Sequence, residues 1–462
     1  MSRRKPSVQA IAGELRRLVE AGFAAAGVPG GSVQIVEGDG EVEAIPYGTL
    51  TPEIPVVLGS TSKSITAIAL VQALEAGYVA LDDPVHDWLS AVGFPADVTV
   101  KDLARHTSGL ATDSTPTHRR FARDRGFRYA NENYNLLGRV IETATGIPFG
   151  QWVAERLFEP LGIKNELGPR TAPEAVPGHV GVFGLFIPAR LSDRGPKSWI
   201  QPPSGAICMS ARDAGRILRM LLNDGELEGK RLLAPESVHM ILTDTVPTGL
   251  SSAIDGPLGP EGDYGFGWIR KSLNGEEVFL HVGKVPTHTT VFALIPGRNL
   301  AMVLVADGGD FLVATPLIEQ LADSVIRHLL GEPVQMPTPR AHLVRHAALG
   351  ALCLGVLAVG AAGWFFRGGK GGKNGFLAYH ALLPLTLILG MRRASVTPSL
   401  WVWRFAPDVS SAVGISAASM MLSGIWRISA QHGSGPMENS VGERAASCGG
   451  SSKWNDRNGL FR

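Results

Sequence analysis

The chain has 462 residues, too many for one average domain and enough for one large domain with a further part. Its 43 Lys and Arg offset 42 Asp and Glu to a net charge of +1, so no basic or acidic field invites nucleic acid as a partner. Three cysteines, Cys208, Cys353 and Cys448, lie far apart without a CxxC pair, which argues against a disulfide framework or a zinc knuckle.

In chain order, Ser7 to Ala26 reads as an amphipathic helix. Ile11, Leu15, Leu18, Val19 and Phe23 recur at helical spacing, with Glu14, Arg16, Arg17 and Glu20 between them. No uninterrupted apolar run follows the basic start, so this stretch does not read as a signal peptide. Gly31 to Val36 alternates like a strand, Asp39-Gly40 signals a hairpin, and Glu41 to Tyr47 can return as the partner. Ser60 to Ala76, between Gly59 and Gly77, is apolar on almost every face and reads as a buried helix. Helix-like and strand-like stretches then alternate to about Val334. Among them Phe279 to Val282 and Leu300 to Ala306 read as strands, and Phe311 to Leu330 as a closing helix.

Composition changes at Pro333. Pro333 to Pro339 reads as a linker. Ala347 to Phe366 is then free of charge, is flanked by Arg345 and Arg367, and ends in Trp364 and two Phe, as a transmembrane helix does at an interface. Phe376 to Met391, with Pro384 inside, and Phe405 to Ile425, rich in small residues, read as second and third spans. After Gln431 the Gly/Ser-rich polar tail reads as disordered. The expected organisation is residues 1–21 as an N-terminal segment, 22–332 as the main domain, 333–342 as the linker, 343–428 as a membrane region of about three helices, and 429–462 as the tail.

Three motifs carry chemistry. Ser60-Thr61-Ser62-Lys63 is an SxxK: if Ser60 opens a helix, Lys63 falls one turn on, on the same face. A serine hydroxyl needs a base, and a lysine amine serves if burial lowers its pKa. The pattern is short and recurs at Ser2 to Lys5, so locally a surface lysine beside a capping serine fits as well. Tyr129-Ala130-Asn131 is the one YxN in the chain: a phenol can relay protons and an amide can hold both Lys63 and a substrate carbonyl. Alone it reads better as a core tyrosine beside an Asn helix cap. His281-Val282-Gly283-Lys284 continues a strand-like stretch, where a cation or proton donor at the strand edge and the N–H after Gly283 could serve an acyl substrate. His179-Val180-Gly181 repeats the short pattern; the later copy is preferred because it ends a strand and is followed by another, Leu300 to Ala306. No GxSxG nucleophile elbow and no metal-spaced His/Asp cluster is present.

SxxK, YxN and HxG in this order resemble the serine β-lactamase and penicillin-binding superfamily. Leu81-Asp82-Asp83-Pro84-Val85, His106-Thr107-Ser108-Gly109-Leu110, Asn133 to Gly138 and Tyr264-Gly265-Phe266-Gly267-Trp268 extend the resemblance over about residues 22–332. It implies an α/β (α+β) fold: an antiparallel sheet flanked by helices, with an all-helical subdomain and C-terminal transmembrane helices after it. It implies a Ser60 acyl-enzyme, acid–base work shared by Lys63 and Tyr129, orientation by Asn131, His281 where relatives carry a lysine, and an oxyanion hole from the N–H groups of Ser60 and Lys284 beside Gly283. No cofactor and no metal is implied. The partners expected are a small ester, amide or peptide substrate and membrane lipid around the C-terminal helices. Family members usually work outside the cytoplasm. The chain departs from the family pattern at Val282, which lacks a hydroxyl, and at Thr287, which replaces a glycine. Both point to weak or absent β-lactamase activity. The alternatives are a binding or regulatory module that has lost catalysis, for which these departures argue, and a chain whose apolar C-terminal region is the main functional part.

Overall fold

A computed structural model of the chain describes residues 8–90, 95–112, 114, 119, 121, 126–163, 176–191, 200–249, 258, 261–365, 377–385 and 407–433. Helix α1 (Val8–Ala26) has the expected amphipathic form. Leu15, Leu18, Val19 and Phe23 are buried, while Glu14, Arg16, Arg17 and Glu20 face solvent. Burying each of the four is worth about 1.5–3 kcal/mol. Strands β1 (Gly30–Glu37) and β2 (Gly40–Gly48) form the expected hairpin. Glu37 pairs with Gly40, so the turn is Gly38-Asp39, one residue earlier than the Asp-Gly signal indicated.

Helix α2 (Ser62–Glu75) is buried from Ser62 to Ala73, as an all-round apolar helix must be. It begins two residues later than expected, because Gly59–Thr61 forms a separate 3₁₀ turn. Helix α3 (Asn131–Thr145) packs against α2. Between α2 and residue 163 the described residues contain helices, turns and two isolated bridges, the helical part of the fold. A hairpin of β3 (Pro177–Val182) and β4 (Leu185–Arg190) follows, and then helix α4 (Ala211–Leu222).

The strands that complete the main sheet are β5 (Val246–Pro247), β6 (Asp263–Gly265), β7 (Trp268–Leu273), β8 (Glu276–Val285), β9 (His288–Ile295) and β10 (Leu300–Asp307). With β1 and β2 they make one antiparallel sheet in the order β2-β1-β10-β9-β8-β7-β6-β5. The first strand of the domain thus pairs with the last, tying the two ends of the domain together. Closing helix α5 (Ala314–Leu329) starts three residues later than expected. The Asp310 carboxylate accepts the backbone N–H groups of Leu312 and Val313 at 3.1 Å each, which holds that stretch in a turn.

Helices α1 and α5 cover one face of the sheet: Gly31 of β1 abuts Phe23, and Gly22 abuts Leu321. Helices α2 and α4 cover the other, where Gly215 of α4 lies against Gln34 and Val36. Two further helices, α6 (Ala341–Phe365) and α7 (Pro407–Gly433), contain segments long and apolar enough to cross a membrane, Ala341–Ala362 and Val409–Trp426. Only 17% of the first is buried, unlike the core helix of a soluble protein. The second expected span is described only over 377–385, and the tail beyond Gly433 lies outside the described residues.

Candidate active site

Three pieces of chain meet at one end of the sheet. The first is the 3₁₀ turn Gly59–Thr61 with the start of α2. Lys63, on the first turn of α2, is fully buried. Its Nζ donates to Asn131 Oδ1 at 2.8 Å and to the Ser204 carbonyl at 2.6 Å, and lies 3.2 Å from Ser60 Oγ. All three partners are neutral. Burial without a carboxylate beside it pushes the Lys63 pKa well below the lysine range. A neutral amine has two N–H donors and one lone pair. The two carbonyls take the donors, which leaves the lone pair to accept the Ser60 hydroxyl.

The second piece is Tyr129 with the start of α3. The Tyr129 hydroxyl lies 3.4 Å from His281 Nε2. Burial raises its pKa, so it stays a protonated phenol at neutral pH. The Tyr129 ring lies 4.9 Å from Lys63 Nζ. His106 flanks the same ring at 4.5 Å between centroids. Its Nδ1 accepts from Asn133 Nδ2 at 2.8 Å, and Asn133 Oδ1 accepts from Ser108 at 2.6 Å. His106 has φ +59°, a strained setting for a residue with a Cβ, worth roughly 1–3 kcal/mol.

The third piece is β8. Its pairing with β7 ends at Leu280 opposite Ile269, so beyond that point one edge of β8 is open. On its other edge Val285 pairs with His288 across a two-residue turn. In such a hairpin Val285, Gly283 and His281 exchange hydrogen bonds with β9, while Lys284 turns its N–H to the open edge. The Gly59 turn fills that edge. A Cβ at Gly59, which has φ +58°, would sit 2.6 Å from the Lys284 nitrogen, and a Cβ at Gly283 would overlap the Leu58 carbonyl. Only glycines let these backbones approach so closely, and the approach sets the Lys284 amide beside the Ser60 turn. The Leu58 carbonyl is held by the Thr61 and Thr290 hydroxyls at 2.9 and 2.5 Å.

His281 corrects one expectation. It offers the site neither a cation nor a proton. Its Nδ1–H donates to the Gly267 carbonyl at 2.6 Å, so Nε2 carries the lone pair that faces the Tyr129 hydroxyl. Burial, with a contribution from Lys63, lowers its pKa to about 3. The Lys284 ammonium is turned away, 2.5 Å from Glu319 of α5, and Val282 alternates onto that same face. The Thr287 hydroxyl bonds His288 Nδ1 at 2.9 Å inside the β8–β9 turn. The second HxG copy has other work: His179 Nδ1 lies 2.9 Å from the Asp307 carboxylate and Gly181 N–H donates to Gly309 O, which docks β3 on the domain.

All seven expected site residues therefore converge. Sequence reading missed Ser204 and the Gly267 carbonyl, and it saw His106 and Asn133 only as members of longer motifs. Pro202-Pro203-Ser204-Gly205 signals a tight turn, but nothing in it announces that a carbonyl will face a lysine 141 residues earlier.

A buried amine–serine pair at the end of an antiparallel sheet, with a helical part beside it, defines a serine hydrolase of the SxxK kind. The chain belongs to the Beta-lactamase family, whose model matches residues 15–323. It is similar to penicillin-binding protein 4 of Amycolatopsis lactamdurans, 28% identical over 352 residues that cover 67% of this chain and 87% of that protein. Solved structures of the same fold include D-amino acid amidase from Ochrobactrum anthropi SV3, with TM-score 0.58, 20% identity and coverage of 69% of this chain and 99% of that one. Another is D-alanine carboxypeptidase AmpC from Burkholderia cenocepacia, with TM-score 0.54, 19% identity and coverage of 70% and 99%.

Proposed function

We propose that Ser60 forms an acyl-enzyme with a small ester, amide or short peptide. The observation that carries this reading is the buried Lys63 amine, whose two donors are taken by neutral carbonyls and whose third neighbour is Ser60 Oγ. Lys63 takes the hydroxyl proton as Oγ attacks the carbonyl carbon. The N–H groups of Ser60 and Lys284 receive the negative oxygen. Tyr129 gives its phenol proton to the leaving atom and recovers it from Lys63. Water then attacks the acyl carbon, returning the proton through the same groups. Asn131 holds Lys63 and faces the substrate, and His281 fixes the Tyr129 hydroxyl. The D-amino acid amidase and D-alanine carboxypeptidase relatives support an amide or peptide of D-amino acids as the first substrate class to try.

The domain sits on a membrane through its C-terminal helices. Ser416 donates to Val356 O at 2.7 Å, Ser419 to Gly360 O at 3.1 Å, and Trp364 and Trp426 lie 6.0 Å apart. Positions on α6 and α7 thus advance together, so the two helices run parallel. Two parallel spans require the chain between them to cross back, which supports a third span over Phe376 to Met391. The catalytic domain faces the outside of the cytoplasm, the usual workplace of this family.

Intact-mass analysis of the full chain in detergent, after a fluorophosphonate, tests the chemistry. A single adduct is expected, absent from Ser60→Ala. A folded wild-type protein that takes no adduct would replace this reading by a binding module.

A further inference from the structure

The β3–β4 hairpin carries a surface that the catalytic reading does not use. Its register pairs Val180 with Ile187 and Val182 with Leu185, so these four apolar side chains share one face. The opposite face is spent on the domain: His179 pairs with Asp307, Gly181 abuts Asp310, and the Phe186 ring abuts Gly308. The outward face of a surface hairpin ordinarily alternates to polar residues. Here Leu185 is 69% exposed, Ile187 51%, and Phe183 at the tip 51%. The neighbouring turn adds exposed Phe311 and Leu312, with the Phe311 ring 5.3 Å from Lys284 Nζ.

The position of this patch identifies what covers it. The hairpin tip meets α6: a Cβ at Gly184 would lie 3.1 Å from the His346 ring. His346 is the last titratable residue before the charge-free run that starts at Ala347. The first turns of α6 are also pinned to the domain. His342 Nδ1–H donates to Ala25 O at 3.0 Å, Arg345 to Gln320 at 3.2 Å, and His346 lies 3.2 Å from Asp310. The depth at which α6 enters hydrocarbon is therefore the depth of Phe183 and its neighbours. Leu343 and Val344, 51% and 71% exposed, continue the apolar surface along α6.

We propose that the β3–β4 hairpin is a second membrane contact: its Val180/Val182/Leu185/Ile187 face and Phe183 sit in the interface of the bilayer that α6 spans. The domain is then held in one orientation on the lipid surface by two attachments and does not swing on a tether. The inference rests on the reading of α6 as a span, and its test separates the two. The full chain, with Cys448→Ser, carries a nitroxide at one of three sites: Leu185→Cys on the hairpin, Leu354→Cys in α6, or Ala76→Cys, exposed at the end of α2. Each is reconstituted in phosphatidylcholine vesicles, and accessibility to oxygen and to a soluble nickel chelate is measured. Oxygen-over-nickel ratios at Leu185 and Leu354 are expected several-fold above that at Ala76. A high ratio at Leu354 with Leu185 equal to Ala76 would overturn the hairpin contact and leave the span intact. Leu354 equal to Ala76 would overturn both.

Discussion

Gly59→Ala tests the site at its narrowest point. The new methyl would lie 2.6 Å from the Lys284 nitrogen and 2.9 Å from the Gly283 carbonyl carbon, where ordinary contact begins at 3.4 Å. The turn and β8 must part by about 0.8 Å, and neither neighbour is a flexible side-chain end. The displaced group is the proposed oxyanion donor. Losing one such donor costs about 10²–10³ in kcat, or about 3–4 kcal/mol of transition-state stabilisation. Alanine at φ +58° adds about 1–2 kcal/mol of folding strain, a fall in Tm of roughly 1.5–3 °C for a domain of about 300 residues. Gly146→Ala, at φ +71° with nothing within 4 Å, imposes the same kind of strain far from Ser60 and serves as control. Hydrolysis of a nitrophenyl ester and thermal melts of both variants are the assays. A melt lowered similarly in both, with kcat lost only in Gly59→Ala, is expected. A folded Gly59→Ala enzyme with unchanged kcat would refute the role given to the Lys284 amide.

Three further outcomes follow from the same geometry. Burial holds His281 near a pKa of about 3 and His288 near about 4, both below the unfolded value of about 6.5. Below 6.5 the unfolded chain takes up protons that the folded chain refuses. The stability is thus full above 6.5 and drains as pH falls, by about 1.4 kcal/mol per pH unit for each histidine down to pH 4. Denaturant melts between pH 7 and 4 should show that slope, reduced in His281→Asn; a flat profile would contradict the burial. Penicillins should be turned over far more slowly than small esters, because His281 is neutral and the Lys284 ammonium is held by Glu319, which leaves the strand edge without a cation for a substrate carboxylate. Comparable kcat/KM for the two would remove that argument. In intact cells an impermeant maleimide should label a cysteine introduced at Lys101 and not the native Cys448, since the catalytic domain faces outward and an odd number of spans puts the two on opposite sides. Labelling of both, or of neither until lysis, would break the three-span reading.

Much of this was legible in residue order. The 3.6-residue period of α1, the all-round apolar run of α2 and the alternation of β1 follow from local burial rules, and each element forms within a few residues of its expected place. Element ends were less legible, because they depend on local captures such as Asp310 holding the amides of Leu312 and Val313. Ser60, Lys63, Tyr129, Asn131 and the His281–Lys284 run could be singled out because SxxK, YxN and HxG in this order resemble a known family; each short pattern alone fits a structural role as well. The protonation of the site could not be read that way. The Lys63 pKa is pushed down because burial is met by Ser204, 141 positions later, and Asn131, 68 positions later, which bring carbonyls and no carboxylate. His281 accepts a proton bond because the Gly267 carbonyl takes its other nitrogen. Val282 and Thr287, which stood out as departures from the family pattern, are turned to α5 and spent on His288, since strand alternation and turn geometry decide which side chains face the site. Order along the chain determined which groups are present and which elements carry them; charge state, tautomer and facing direction belong to the tertiary structure, because each depends on what burial removes from water and on partners that only folding brings near.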